Sequence, residues 1–180
     1  MKTKLFTTVL LFSISYFSFS QTIAGGGFHS LAVCSDNTVM DWGYNSTGQL
    51  GNGNNTDSNV PVPLGSLTGI TVIAGGWWHS LALKNDSTVW AWGYNGEGQL
   101  GNGPNPNSNV PVSVSSLTSI IAIATGGQHS LALKNDGTVW AWGRNNYGEL
   151  GNGTTADSNV PVQISSLTGI IAIAGAYGHS

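Results

Sequence analysis

Four histidines stand fifty residues apart, His29, His79, His129 and His179, and each is followed by serine. Imidazole is the commonest metal ligand and titrates near neutral pH, so such a series could bind metal or move protons. Its regularity argues against both. A metal centre needs ligands converging within about 2.0–2.1 Å of one ion, whereas equivalent residues of successive repeats lie side by side. The histidines are expected to be hydrogen-bonded parts of a scaffold, and no metal or other cofactor is implied.

The other chemistry-bearing residues are equally tied to the repeat. Gly48 to Gly53 and Gly98 to Gly103 read Gly-Gln-Leu-Gly-Asn-Gly, but no helix start follows to face a phosphate, so these glycines are tight turns. Asp36, Asp86 and Asp136 share a turn position, where Asp bonds its local backbone. Asp41, Glu97 and Glu149 differ between repeats and are the residues an enzyme would use. Asp41 replaces Ala91 and Ala141 in mid-strand and is expected on an exposed face, because burying an unpaired carboxylate is costly. Glu97 and Glu149 lie in turn-rich loops and are expected to be solvated. The single cysteine, Cys34, stands where later repeats have Lys84 and Lys134. It allows no internal disulfide and reads as a drifted strand position, with an intermolecular disulfide as the alternative.

The elements that carry these residues follow from the fifty-residue period. Trp42, Trp92 and Trp142 keep the histidine register, each followed by glycine. Within one unit Ile70 to Ala74 is a β-branched run, Leu81-Ala82-Leu83 alternates into Asn85-Asp86-Ser87, and Val89-Trp90-Ala91-Trp92 alternates out. That is a hairpin, and the third unit places Asp136-Gly137 at its turn. A further short strand is expected over Val110 to Val114 and Val160 to Ile164, begun by Pro111 and Pro161. About four short strands per unit make an all-β chain of β-propeller blades. The units run over about 21–69, 70–119 and 120–169, with the start of a fourth at 170–180. A fifty-residue sheet cannot bury a sufficient core alone, so tryptophans such as Trp90 with Trp92 and Trp140 with Trp142 are expected to fill the wedge between blades.

Specific function belongs where the repeats differ, since shared positions are explained by the scaffold. The pair before each histidine reads Gly27-Phe28, Trp77-Trp78, Gly127-Gln128 and Tyr177-Gly178. The loop after each Trp-Gly reads Tyr44, Tyr94 and Arg144, with Tyr147 nearby. Phe28, Trp77, Trp78, Tyr177, Tyr44, Tyr94, Arg144 and Tyr147 are the candidate binding residues, because rim aromatics stack on sugars or anchor proteins.

Lys2 and Lys4 precede an apolar run from Leu5 to Phe19 and a Ser18-Phe19-Ser20 site. Residues 1–20 therefore read as a secretory signal peptide cleaved after Ser20, too short to span a bilayer, and no later stretch is apolar enough to do so. The rest, 21–180, carries three basic residues, Lys84, Lys134 and Arg144, against eight acidic ones. A chain without a basic patch is not expected to bind nucleic acid. In a secreted eukaryotic protein the sequons at Asn45, Asn54, Asn85 and Asn152 would accept sugar.

Taken together, Gln128-His129-Ser130, Asn135-Asp136-Gly137, Trp140-Ala141-Trp142-Gly143 and Gly148-Glu149-Leu150-Gly151-Asn152-Gly153 resemble the repeat of the regulator of chromosome condensation family. Kelch and WD repeats order their aromatics and glycines differently. The resemblance implies a seven-bladed propeller in which the His, Gly and Trp motifs are scaffold. The founding activity, nucleotide exchange on a small nuclear GTPase, is not carried over, because one fold hosts many functions. Three hairpins cannot close a ring that takes about four to eight blades. The expectation is an incomplete, open propeller that is a piece of a longer protein, with assembly of copies through the open blade edges as the alternative. The functional expectation is an exported binding or scaffold module for a protein or carbohydrate ligand, not an enzyme. Its rivals are a secreted propeller lyase or hydrolase and an adhesive repeat array.

Overall fold

Alternating small and β-branched residues around short polar turns produce strands and no helix in the computed structural model, which describes residues 23–65 and 67–180. The expected signal peptide, 1–20, lies outside them. The first blade contains β1 (Ile23–Gly25), β2 (His29–Val33), β3 (Val39–Gly43) and β4 (Ser58–Pro63). The second contains β5 (Ile70–Gly75), β6 (His79–Lys84), β7 (Val89–Gly93) and β8 (Ser108–Ser113). The third contains β9 (Ile120–Thr125), β10 (His129–Lys134), β11 (Val139–Gly143) and β12 (Ser158–Gln163). Each blade is one antiparallel sheet with its strands in chain order, and the three form an open propeller.

The central hairpin of each blade turns on a residue with positive φ, Asn37 at 61°, Ser87 at 64° and Gly137 at 79°. The aspartate before it holds the turn. Asp36 Oδ1 accepts the Thr38 N–H at 3.1 Å and its hydroxyl at 2.6 Å, and Asp86 and Asp136 do the same. The threonine hydroxyl bond first, then the backbone bond, and at Asp86 Lys84 ahead of the backbone, keep these carboxyls below the usual aspartate range.

The outermost strands begin earlier than the prolines suggested. β8 and β12 start at Ser108 and Ser158, and Pro111 and Pro161 lie inside them. Each is the last strand of its sheet, so a proline that donates nothing interrupts no further ladder.

Burial records which faces touch. In β6 and β10 five successive residues are buried, whereas β2 alternates buried and half-buried. The second and third blades have a neighbour packed on the face that Ala82 and Ala132 occupy, and the first has no described blade on the corresponding face. Trp92 packs with Leu31, Val33, Val39 and Leu64 of the first blade. Trp142 packs in the same way with Leu81, Leu83, Val89 and Val114 of the second. Burial of an indole removes about 150–250 Å² from water, so these rings are the main apolar joints between sheets.

Candidate binding surface

The histidines are stitches between blades. His29 Nε2 lies 2.8 Å from Ser80 Oγ, His79 Nε2 3.0 Å from Ser130 Oγ, and His129 Nε2 2.8 Å from Ser180 Oγ. Each serine hydroxyl donates back, to the Gln49, Gln99 and Glu149 carbonyls respectively. With the hydroxyl proton committed there, the imidazole must donate from Nε2. The Trp92 and Trp142 indoles add bonds to the same Gln49 and Gln99 carbonyls, at 2.9 and 2.7 Å. Burial lowers His29 to about 4 and His79 to about 3, and it lowers His129 as well. The Nδ1 atoms of His29 and His79 have no partner, so a second proton would be a buried, unsatisfied donor. Among the described residues, no three His, Cys, Asp or Glu side chains converge to hold a metal ion.

This stitching fixes the loops that differ between repeats. The cross-strand register pairs His29 with Gly43, His79 with Gly93 and His129 with Gly143. Just beyond those pairs, the Tyr44 N–H bonds the Phe28 carbonyl at 2.9 Å, Tyr94 bonds Trp78 at 2.8 Å and Arg144 bonds Gln128 at 3.0 Å. The two variable positions are therefore one place on each blade, which linear spacing alone does not reveal.

Six candidate aromatics join into one strip. Tyr44 meets Phe28 edge-on at 6.2 Å, and Phe28 lies nearly parallel to Trp78 at 6.4 Å. Trp78 touches Tyr94 at 5.9 Å and Trp77 at 5.4 Å, and Trp77 touches Tyr177 at 4.4 Å. The strip thus runs from the first blade to the start of the fourth unit. Phe28, Tyr44 and Tyr177 are exposed, while Trp77, Trp78 and Tyr94 are half-buried. The backbone beneath is bonded from unit to unit, with Gly27 N–H to the Gly76 carbonyl, Trp77 to Gly127 and Gly127 to Ala176. A Cβ at Gly127 would lie 2.7 Å from the Tyr177 carbonyl oxygen, so glycine here lets the backbone of the fourth unit approach the third blade. A hollow of about 250 Å³ between the glycine doublets has Trp77 and Tyr177 in its walls.

The third blade replaces its aromatics with a polar set. Arg144 Nη1 donates to Gln128 Oε1 at 2.6 Å, its guanidinium lies 5.2 Å from the centre of the exposed Tyr147 ring, and its Nε is 3.8 Å from Glu149 Oε1. Glu149 takes the place of Gln49 and Gln99, whose Oε1 atoms accept the N–H of Thr47 and Glu97; Glu149 Oε2 accepts that of Tyr147. A glutamate for glutamine, and an arginine for tyrosine, change together. The sequence shows that joint change as Tyr44 and Tyr94 against Arg144 with Gln49 and Gln99 against Glu149.

Two sequence expectations, for Asp41 and Glu149, are corrected. Asp41 is fully buried, not on an exposed face: the first blade turns that face toward the second, where Trp92 stands beside the carboxyl. Neither carboxyl oxygen has a well-formed hydrogen bond, and burial holds its pKa well above the usual range. Glu149 is buried rather than solvated, because its loop folds back under the inter-blade serine. Glu97 is half-buried beside Asp157 of the third blade; burial first, then that neighbour, raises its pKa. Of the sequons, Asn45 is buried with its amide donating to the Asn54 and Thr56 carbonyls, so it offers no accessible acceptor. No helix of the described residues is long and apolar enough to cross a membrane.

Known proteins share both the repeat and the geometry. A sequence profile described as "Regulator of chromosome condensation (RCC1) repeat" matches residues 36–83, 86–133 and 136–180, and a second of that description matches 21–49, 70–99 and 120–149. The chain is 47% identical over 45 residues to the ultraviolet-B receptor UVR8 of Arabidopsis thaliana, 25% of this chain and 10% of that one. Human WBSCR16 superposes with a TM-score of 0.78 at 28% identity, over 87% of this chain and 42% of that one. Prp20p of Saccharomyces cerevisiae gives 0.72 at 26%, over 79% and 37%. The chain therefore spans less than half the length of these relatives. It belongs to the regulator of chromosome condensation (RCC1) repeat family.

Proposed function

We propose that this chain is an exported propeller-repeat module that binds a protein or carbohydrate ligand along the aromatic strip and carries out no chemistry of its own. The observation that carries the reading is the unbroken run of ring contacts from Tyr44 to Tyr177, mounted on a backbone whose every blade junction is hydrogen-bonded. Aromatic anchors on a rigid support contribute contact area at low entropic cost, because little side-chain freedom is left to lose. One relative supports a binding role: yeast Prp20p has characterised binding properties to Gsp1p and histones, and it has also been solved bound to Kap60. Two of the acids that catalysis would need support it too, since Asp41 is closed between blades and Glu149 is engaged by Arg144 and Tyr147. Export rests on the Lys2-to-Ser20 pattern.

The test is to probe arrays of peptides and of oligosaccharides with the wild-type chain and with Trp77→Ala/Trp78→Ala. The wild type is expected to retain a defined set, weakened at least about tenfold by the double substitution, as loss of anchor aromatics costs about 2 kcal/mol or more. Equal retention by both proteins, with the variant folded, would refute the strip as the binding surface.

A further inference from the structure

The strip of rings adjoins an acidic pair. Tyr94, half-buried against Trp78 at 5.9 Å, lies over Gly96, where an added Cβ would collide with the phenol. The next residue is Glu97, whose carboxyl stands beside the exposed Asp157 of the third blade. Asp157 is held there by the Asn145 N–H, which its Oδ1 accepts at 2.6 Å. At the preceding junction Thr47 and Asn107 occupy the same two positions. Both acids are thus departures from the repeat, and both belong to a junction between two described blades.

Two like charges this close call for a cation, and the chain supplies little of one. Burial first, then Asp157, raises the pKa of Glu97, and Arg144 offsets only part of that. The Arg144 guanidinium is already engaged by Gln128 Oε1 at 2.6 Å, by the Tyr147 ring and by Glu149. The lysines of the described residues are elsewhere. Lys84 and Lys134 end the strands that begin at His79 and His129, roughly 17 Å from the strip at about 3.4 Å per residue, and they pair with Asp86 and Asp136 at 3.1 and 3.9 Å. Among the described residues, the loops around the strip therefore carry Asp57, Glu97, Glu149 and Asp157 against a single guanidinium.

A surface of aromatic rings and excess carboxylate is complementary to a cation on an apolar stem. Ring faces attract ammonium and guanidinium groups through their quadrupole, and the methylenes of lysine and arginine pack on apolar surface while their heads reach an acid. A neutral sugar would stack on the rings but leave the acidic pair uncompensated. A small amine would engage one or two rings, whereas the strip crosses from the first blade to the fourth unit. We infer that the ligand of the strip is a basic polypeptide segment, with lysine or arginine heads at Glu97 and Asp157 and the rest of the segment along the rings. This rests on the strip being the binding surface proposed above.

The test is fluorescence polarisation of a labelled peptide alternating lysine with tyrosine, of the same peptide with its lysines acetylated, and of a labelled cello-oligosaccharide. The wild type is expected to bind the lysine peptide at least about tenfold more tightly than the acetylated one, and more weakly as salt is raised. Glu97→Gln/Asp157→Asn is expected to weaken the lysine peptide about tenfold and to leave the acetylated one unchanged. Asp157→Asn introduces only what the second blade has as Asn107, which accepts the Asn95 N–H in the same way. Asp36→Asn, at the far end of the strands, is expected to change neither. No binding of the lysine peptide, equal binding of both peptides, or no effect of neutralising the pair would overturn the inference. Should the paired substitution unfold the chain, the acetylated peptide decides. Binding of the sugar alone, lost in Trp77→Ala/Trp78→Ala, would remove the basic ligand and leave the strip standing. Charge-dependent peptide binding unmoved by that double substitution would remove the strip as well.

Discussion

At the scale of single residues, the histidines and Asp41 make the protein's stability depend on pH in opposite directions. His29 and His79 fall from 6.5 in the unfolded chain to about 4 and about 3 when folded. Below pH 6.5 the unfolded chain takes up protons that the native chain refuses, so their contribution is full above 6.5 and is lost as the pH falls toward those values. Each ring gives about 1.4 kcal/mol per pH unit over that window. Asp41, raised by burial, binds its proton more tightly in the native state and so opposes folding above the ordinary carboxylate range. Asp41→Ala, which restores the residue of the other two blades, is expected to stabilise the protein at pH 7 by about 1–3 kcal/mol, the cost of an unsatisfied buried polar group. Urea unfolding of this variant at pH 7 and pH 5 then isolates the histidine slope. A stability unchanged by the substitution at pH 7, or one that rises on acidification in its background, would contradict these assignments. His79→Ala is expected to cost about 2–4 kcal/mol by urea unfolding, from a lost bond and a new cavity beneath a blade junction.

At the scale of elements, Arg144 with Glu149 should behave as an alternative to the tyrosine and glutamine of the first two blades. Arg144→Tyr and Glu149→Gln are each expected to destabilise, and the double substitution to recover about 1 kcal/mol relative to their sum. A thermodynamic cycle with no coupling would mean that the two residues act separately. Much of this level was legible in the sequence, because strands alternate with period two and the blades repeat with period fifty, so hairpins, turns and tryptophan joints follow from pattern. What the pattern could not show is which faces meet. The burial of Asp41 depends on the next blade closing over it. The adjacency of Phe28 with Tyr44 depends on cross-strand register, and the prolines of β8 and β12 misplaced a strand start because an edge strand tolerates them. The eight candidate residues stand out by their variation between repeats; Gln128, which holds Arg144, belongs to one of those variable pairs but is not among the eight.

At the scale of the whole molecule, the scaffold and the proposed recognition surface are separable. Residues that repeat stitch blade to blade through His, Ser and the loop carbonyl, while six of the varying residues, all aromatic, gather into a single strip on one set of loops. Substitution in the strip should therefore alter binding with little change in thermal midpoint, and substitution in the stitches the reverse. The most direct test is titration calorimetry of a ligand retained on the arrays against the wild type and Trp78→Ala, the ring that contacts Phe28, Trp77 and Tyr94 at once. The account predicts at least about a tenfold loss of affinity, the mark of a central anchor, in a variant that still unfolds cooperatively near the wild-type temperature. An unchanged affinity would place the binding surface elsewhere on the propeller.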